Sequence, residues 1–397
     1  MKLKRILTYL VMLAVLTACG SDEPKPEDNP RTEEINAAEV TRTVVVYAVN
    51  RSSLSPDFTD DFAEMTAALQ NMDLGRYQLL VYHSERDGSC GLYRSVREER
   101  SRKVVFELLR SYDASRLSTD PRRIGEVIDY ALSVYPDSDY DLVFWGHGMS
   151  WYPYFSSHEV YDAPTSYSYG GEYSGPGSQQ TDWTEIDELA DAVPDRKFDT
   201  IWFDCCYMSG IEVIYQFRDK CSTFVGYPTE VWQYGLPYDR VLPYIMSDRH
   251  DVVGAARTFY DYYTSTGDPV TVAVTDMSAV GKVADVSRAI FASGDVRPSR
   301  GNLLNYSRST YAPFYDLRQY LAETAAVNGR DDLVGELDAA MASMVTYHAE
   351  SSRNFNLRPW DVRNISGVST HACTGSDSPQ EKYYRTLDWY RAVIGGE

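Results

Sequence analysis

The sequence predicts an α/β protein whose mostly parallel sheet is covered on both faces. Three observations carry that expectation. Short apolar runs such as Val44-Val45-Val46-Tyr47-Ala48-Val49 read as strands buried on both sides. They alternate with stretches of helical periodicity, the rhythm of βαβ units. Two of the runs, Phe144-Trp145-Gly146-His147-Gly148 and Phe203-Asp204-Cys205-Cys206, stop abruptly on a reactive side chain. A parallel pair would bring both ends to the carboxyl edge of the sheet, where open α/β sheets bind ligands. A histidine and a cysteine meeting there form a candidate thiol nucleophile and its base.

The elements follow in order. Residues 42–49 form a buried first strand, and a helix over 60–70 puts Phe62, Met65 and Leu69 on one face. A second strand spans 77–82, and residues 103–109 read as a third, in a side hairpin. Asp120-Pro121 is a helix start, an N-cap followed by proline at the first turn. That helix runs to Tyr135, ahead of Pro136 and the histidine strand. Residues 149–181 are dense in Tyr, Ser, Gly and Pro without apolar periodicity, and read as a long loop placed to wall or cover the site. A short helix over 185–192 precedes the cysteine strand, and another follows it over 210–217. A strand over 222–227, helices over 238–246 and 252–263, a strand over 270–275 and a helix over 277–292 come next. The remaining hundred residues read as mostly helical, notably 315–326 and 331–348.

The chain has 397 residues, 43% hydrophobic and 24% charged, an ordinary globular composition with room for a large core. A net charge of −20 argues against nucleic acid, which needs clustered Lys and Arg, and favours cationic substrates. Tyrosine is abundant, at 32 residues, which suits a polymer-contacting surface as well as a core.

The N-terminus reads as a processing signal. Lys2, Lys4 and Arg5 precede an apolar run over 7–16 that is short for a membrane span. Leu16-Thr17-Ala18-Cys19-Gly20 then resembles the bacterial lipobox, with Cys19 as the lipidated residue. Residues 20–38 have the composition of a disordered tether. The expected location is a lipid anchor in the bacterial cell envelope. The acidic Ser21-Asp22-Glu23 is similar to export tags and points to the outer membrane and its outer face. With Cys19 removed, Cys90, Cys205, Cys206, Cys221 and Cys373 remain, and an odd number implies a free thiol. Their spacing matches no zinc pattern. Of the histidines, only His147 has a catalytic setting; His83, His158, His250, His348 and His371 read as structural or surface residues.

With these residues in hand, the chain resembles the clostripain family of cysteine peptidases. Tyr135-Pro136 and Phe144-Trp145-Gly146-His147-Gly148 are similar to that family's histidine motif. Phe203-Asp204-Cys205-Cys206-Tyr207-Met208 with Glu212 is similar to its Asp-Ala-Cys-Leu-Met motif, with Cys205 in place of the small alanine. Weaker matches at 272–276, 315–317 and 387–390 keep the family's order. The resemblance implies a caspase-like α/β/α sandwich with a mostly parallel central sheet and a helical C-terminal region. The division would be a signal over 1–19, a tether over 20–38, a catalytic domain over 39–295 and a C-terminal region over 296–397 packed on it.

The resemblance also implies a mechanism and a specificity. Cys206 attacks a peptide carbonyl and His147 supplies the proton that the leaving amine needs. The backbone N–H groups of Gly148 and Cys206 are the candidate oxyanion hole. Asp204 holds the position that lines the family's pocket for Arg or Lys, and Glu230 is a second candidate wall for basic peptide substrates. No Lys or Arg occurs in residues 149–195, so self-cleavage there by such a site is not expected. Calcium is used by some relatives and stays open as a cofactor, without an EF-hand spacing here. The alternative reading is a catalytically silent, caspase-like surface lipoprotein that binds a protein or polymer partner.

Overall fold

The computed structural model describes residues 31–85, 88–152, 168–175, 177–178, 180–292, 294, 297–307, 314–357, 359–363 and 365–395. The signal segment, Cys19 and most of the expected tether lie outside them. Residues 31–38, read as the end of the tether, are seated on the protein: Thr32 bridges to Glu98, and Glu33 donates its N–H to Arg97.

In chain order the strands are β1 (Arg42–Ala48), β2 (Tyr77–Ser84), β3 (Cys90–Arg97), β4 (Val104–Tyr112), β5 (Asp139–Trp145), β6 (His147–Gly148), β7 (Tyr169–Tyr173), β8 (Thr181–Thr184), β9 (Phe198–Asp204), β10 (Cys221–Gly226), β11 (Thr271–Asp276), β12 (Tyr315–Asp316), β13 (Val345–Glu350) and β14 (Ser369–Thr370). The helices are α1 (Ser55–Leu69), α2 (Pro121–Val134), α3 (Ile186–Asp191), α4 (Ile211–Gln216), α5 (Tyr238–Ile245), α6 (Val252–Thr266), α7 (Val280–Phe291), α8 (Leu317–Val327), α9 (Val334–Met344), α10 (Pro379–Tyr384) and α11 (Asp388–Val393).

Nine strands form one sheet in the order β13-β11-β10-β9-β5-β1-β2-β3-β4. The middle five, β10 to β2, pair in parallel, and both flanks are added antiparallel. The apolar runs are continuous because each strand is covered twice. Val45, Tyr47, Leu142, Phe144, Ile201 and Phe203 face one core, packed against α2, α3, α4 and α7. Val44, Val46, Val143, Trp145 and Trp202 face the other, under α1, α5 and α6. This is the α/β/α sandwich that the sequence led us to expect. Among the described residues, no helix is long and apolar enough to cross a membrane.

The order β2-β1-β5 marks the reversal of winding. After β1 the chain steps outward to β2, then returns to place β5 on β1's other side. The carboxyl ends of β1, β5 and β9 therefore share one edge at the switch point of the sheet. At the opposite edge, the buried Arg42 guanidinium ties three strands together. It lies 3.1 Å from Asp141, 3.0 Å from Asp199 and 3.4 Å from Asp139. Asp141 is itself buried and also contacts His250 at 2.9 Å.

Three stretches differ from the sequence reading. β3 went unread because its apolar residues are interrupted by Arg94 and Ser95; it is recruited by pairing with β2 and β4. The helix expected over 331–348 ends at Met344, and β13 continues as an edge strand on β11. Edge pairing overrides a pattern that is ambiguous between helix and strand, and Val345-Thr346-Tyr347 carries the β-branched and aromatic signal. The long loop over 149–181 contains β7, which joins β6 and β8 in a small three-stranded sheet; residues 153–167 lie outside the described ones.

Replacing Arg42 with methionine leaves the buried Asp141 carboxylate without its guanidinium. The expected loss is roughly 3 kcal/mol, read as a lowered midpoint in urea or a lowered Tm.

Candidate active site

Register sets the ends of the two strands level. On the paired strands β5 and β9, Trp145 stands opposite Asp204, and both strands stop there. His147 and Cys206 each follow two residues later, so the two turns that carry them start from neighbouring strand ends at the same edge.

The turn after β5 depends on Gly146, whose φ of +153° side-chain-bearing residues rarely adopt. It sends His147 and Gly148 out of the central sheet to pair with Gly170 and Tyr169 of β7. The Tyr169 hydroxyl lies 2.9 Å from the Tyr47 carbonyl and 3.1 Å from that of Trp145, which fastens the ends of β1 and β5. The His147 ring is half-buried. Its Nε2 is 2.9 Å from Ser53 Oγ, and Trp183 lies 6.0 Å away between ring centroids. Burial lowers the imidazole pKa, so the ring is neutral at neutral pH.

Gly148 lies directly on the cysteine turn. A Cβ there would come within 2.7 Å of the Cys206 carbonyl oxygen and 2.8 Å of Cys205 Cβ. Cys205 is buried, donates to the Phe144 carbonyl at 3.3 Å, and has its thiol pKa pushed well up by burial. It faces the α2/α4 core, as strand alternation requires. Cys206 is half-exposed, and its sulfur accepts the Val231 N–H at 3.4 Å. None of the five described cysteines is in a disulfide. Tyr207 follows at φ +63°, a left-handed conformation that costs a non-glycine residue about 1 kcal/mol or more. The turn is held by the Tyr207 N–H on the Thr229 carbonyl at 2.8 Å and by the ring against Phe314.

Asp204 is buried beneath this turn on the α1/α5 side. It accepts the Leu236 N–H and the Tyr238 hydroxyl, each at 3.0 Å, and burial pushes its pKa up to about 6. A second buried acid, Asp61 of α1, joins it. Asp61 accepts the Trp145 indole N–H at 2.7 Å; burial first, and then the Asp204 charge, push its pKa up to about 9. Gly235, at φ +54°, caps both: a Cβ there would lie 2.7 Å from Asp204 Oδ2 and 3.3 Å from Asp61 Oδ2. Among the described residues neither acid forms an ion pair. The sequence reading missed Asp61, although it falls with Phe58 and Met65 on the apolar face of α1, where a charged residue is out of place. Glu230 sits elsewhere. It lies beside the Tyr207 hydroxyl, whose pKa rises well up through burial and then this neighbouring charge. The other described histidines have other partners: His83 on Tyr93 and Glu85, His250 on Asp141, His348 on Glu350 and His371 on Glu381. His158 is outside the described residues. Among the described residues no three His, Cys, Asp or Glu side chains are grouped to hold a metal ion.

The model of the clostripain family, peptidase C11, matches residues 46–295. The chain belongs to the clostripain family. It is a clostripain-like cysteine peptidase. Its fold is similar to that of a secreted C11 cysteine protease from Bacteroides thetaiotaomicron, solved in complex with an irreversible peptide inhibitor. The two share 26% identity at a TM-score of 0.76, over 89% of this chain and 98% of that one. An inactive zymogen C11 protease from Parabacteroides distasonis has the same fold at 24% identity and a TM-score of 0.74, over 89% of this chain and 98% of that one. No curated protein matches the chain. In this clostripain-family sandwich, β6 and the turn after β9 are adjacent features of one sheet edge, as the two sequence motifs imply.

Two outcomes follow from the geometry. Gly148→Ala presses a methyl group onto backbone that has no room to move. It should lower stability by about 1–3 kcal/mol, measured by thermal unfolding. Asp61 keeps its proton in the folded state up to pH of about 9 but loses it near pH 4 when unfolded. The folded state therefore holds the extra proton between those values, and stability falls as pH rises through that window. Asp61→Asn removes this dependence, so its Tm relative to the parent protein should rise steadily from pH 5 to pH 8.

Proposed function

We propose that the enzyme cleaves peptide bonds after arginine or lysine, with Cys206 as nucleophile and His147 as acid and base. The observation that carries this reading is the pair of buried carboxylates beneath the nucleophile, Asp204 and Asp61, with no cation paired to either among the described residues. Such a pair is costly to ionise in isolation, and an incoming guanidinium or ammonium group offsets that cost. Arginine offers a planar fork with more donors than lysine and is the better fit for two carboxylates. Glu230 stays a second candidate wall, since it precedes Val231, whose backbone touches the Cys206 sulfur.

The chemistry follows from the same residues. His147, neutral at neutral pH, takes the Cys206 proton, and the Val231 N–H favours the thiolate. Ser53 engages Nε2, which leaves Nδ1 as the nitrogen to serve the sulfur. The thiolate adds to the carbonyl carbon of the scissile bond. The N–H groups of Gly148 and Cys206 receive the oxyanion, each worth about 3 kcal/mol. His147 then passes its proton to the departing nitrogen, the C–N bond breaks, and a thioester remains on Cys206. Water, deprotonated by His147, hydrolyses it and restores the thiol. Outside the described residues, the lipobox-like Leu16 to Gly20 supports a Cys19 anchor in the cell envelope, with the tether holding the enzyme at the outer membrane.

Fluorogenic peptides with Arg, Lys, Asn or Leu before the scissile bond test this. Arg and Lys peptides should be cleaved, and Cys206→Ala should abolish turnover. Asp204→Asn should cut kcat/KM for the Arg peptide on the order of 100-fold while a thiol-directed label still modifies Cys206 at its usual rate. KM for Arg should rise as pH falls below about 6, where Asp204 becomes neutral. Preferred cleavage after Asn or Leu would discard the carboxylate pocket.

A further inference from the structure

Sheet order lays the site out in a line. The Val231 loop follows β10, Cys206 follows β9, His147 follows β5 and Ser53 follows β1. Continuing past Ser53 to β2, β3 and β4, a cleft of 1360 Å³ opens between α1 and the β3–β4 hairpin. Its walls are aromatic. Phe58 and Phe62 of α1 face Phe106 of β4 and Tyr93 of β3, with the His83 ring between them. Phe62 and Phe106 are 4.5 Å apart between ring centroids, and His83 stacks on Tyr93 at 4.7 Å. The mouth of the cleft is continuous with the catalytic edge. Ser52 and Ser55 line it, and between them Ser53 contacts His147. Arg51, also at the mouth, pairs with Glu172 of β7 at 3.0 Å.

We propose that this cleft receives the substrate on the amine side of the scissile bond, taking an apolar side chain, aromatic by preference, about three residues beyond it. The inference rests on the His147/Cys206 reading. The acyl half of the substrate stays on Cys206, towards the Val231 loop. The departing nitrogen takes its proton from His147, so the leaving chain starts at His147 and runs towards β1 and β2. Two strand spacings separate β5 from β2, about 10 Å, and an extended peptide covers that in about three residues. The aromatic walls then meet a side chain rather than backbone, and burial of apolar surface supplies the affinity. Among the described lining residues the one guanidinium, Arg51 at the mouth, is already paired with Glu172, and Glu85 adds a negative charge, so selectivity is for apolar over acidic residues.

The test uses internally quenched peptides that share Arg before the scissile bond and carry Phe, Leu, Gly or Asp at the third residue after it. The folded enzyme is compared with Thr59→Trp, which fills the cleft from the exposed face of α1, and with Phe106→Glu. Phe should be preferred over Gly by about tenfold in kcat/KM, and both substitutions should reduce the preference to within twofold. An Arg amide of a small dye, with no residue beyond the scissile bond, should be hydrolysed alike by all three proteins; failure to cleave it at all would count against the dyad reading and not against the cleft. Binding separates the two. A fluorescein-labelled Gly-Gly-Phe-Gly peptide should bind the Cys206→Ala protein by anisotropy, and lose at least tenfold in affinity when Thr59→Trp is added. Equal rates for Phe and Gly in the unsubstituted enzyme, a preference that survives both substitutions, or peptide binding unchanged by Thr59→Trp would overturn the proposal.

Discussion

The pairing of β5 with β9, in a register that sets Trp145 against Asp204, is the constraint from which the site follows. Slipping either strand by one residue would exchange its faces, turning Phe144 or Phe203 towards the α1/α5 core and Asp204 into the apolar packing of the α2/α4 core. The register is therefore fixed by burial on two sides at once. Given it, the chain has little freedom in where the reactive residues appear. Gly146 and the left-handed Tyr207 steer the two exits, and Gly148 lets them touch. Tyr169, from the segment that follows the histidine, closes the arrangement by bonding the ends of β1 and β5.

Charge is distributed differently at the two ends of these strands. At the amino edge, Asp139, Asp141 and Asp199 share one guanidinium supplied by the fold itself. At the carboxyl edge, the donors to Asp204 and Asp61 among the described residues are neutral: tyrosine hydroxyls, an indole and a backbone N–H. Those donors soften the cost of burial without cancelling it, which is why both carboxyl groups hold protons more tightly than usual. An ion pair supplied by the fold thus stands at one edge, and at the other an acidic pair with no cation among the described residues.

The C-terminal region is coupled to the Cys206 turn rather than appended to the sandwich. Ser209, three residues past Cys206, accepts the Ser369 N–H at 2.9 Å, and Glu212 of α4 accepts from Thr370 and from the His371 N–H, both at 2.9 Å. Glu212 is buried, with its pKa pushed up to about 7 by that burial. The strained turn at Tyr207 is thus braced from the far end of the chain, and β13 extends the same sheet. Strain at a functional turn persists only where its surroundings over-determine it.

By itself, the sequence determined the alternation of buried strands with amphipathic helices, the two strand ends that carry His147 and Cys206, and the cap at Asp120. Each rests on local chemistry: continuous apolar runs, a proline after an N-cap, glycines where the backbone must turn. The family motifs lie in those same local stretches, which is why they were legible. What only the tertiary structure decided depends on partners distant in the chain. β3 and β13 are strands because sheet edges recruit them. Asp61 matters because α1 lays it against a residue 143 positions later. Ser53 reaches His147 because β1 and β5 are neighbours. The aromatic cleft exists because α1 packs across a hairpin whose first strand the sequence does not announce. Local patterning sets what each segment is able to become; long-range pairing, whose energy appears only when distant segments meet, sets which residues act together.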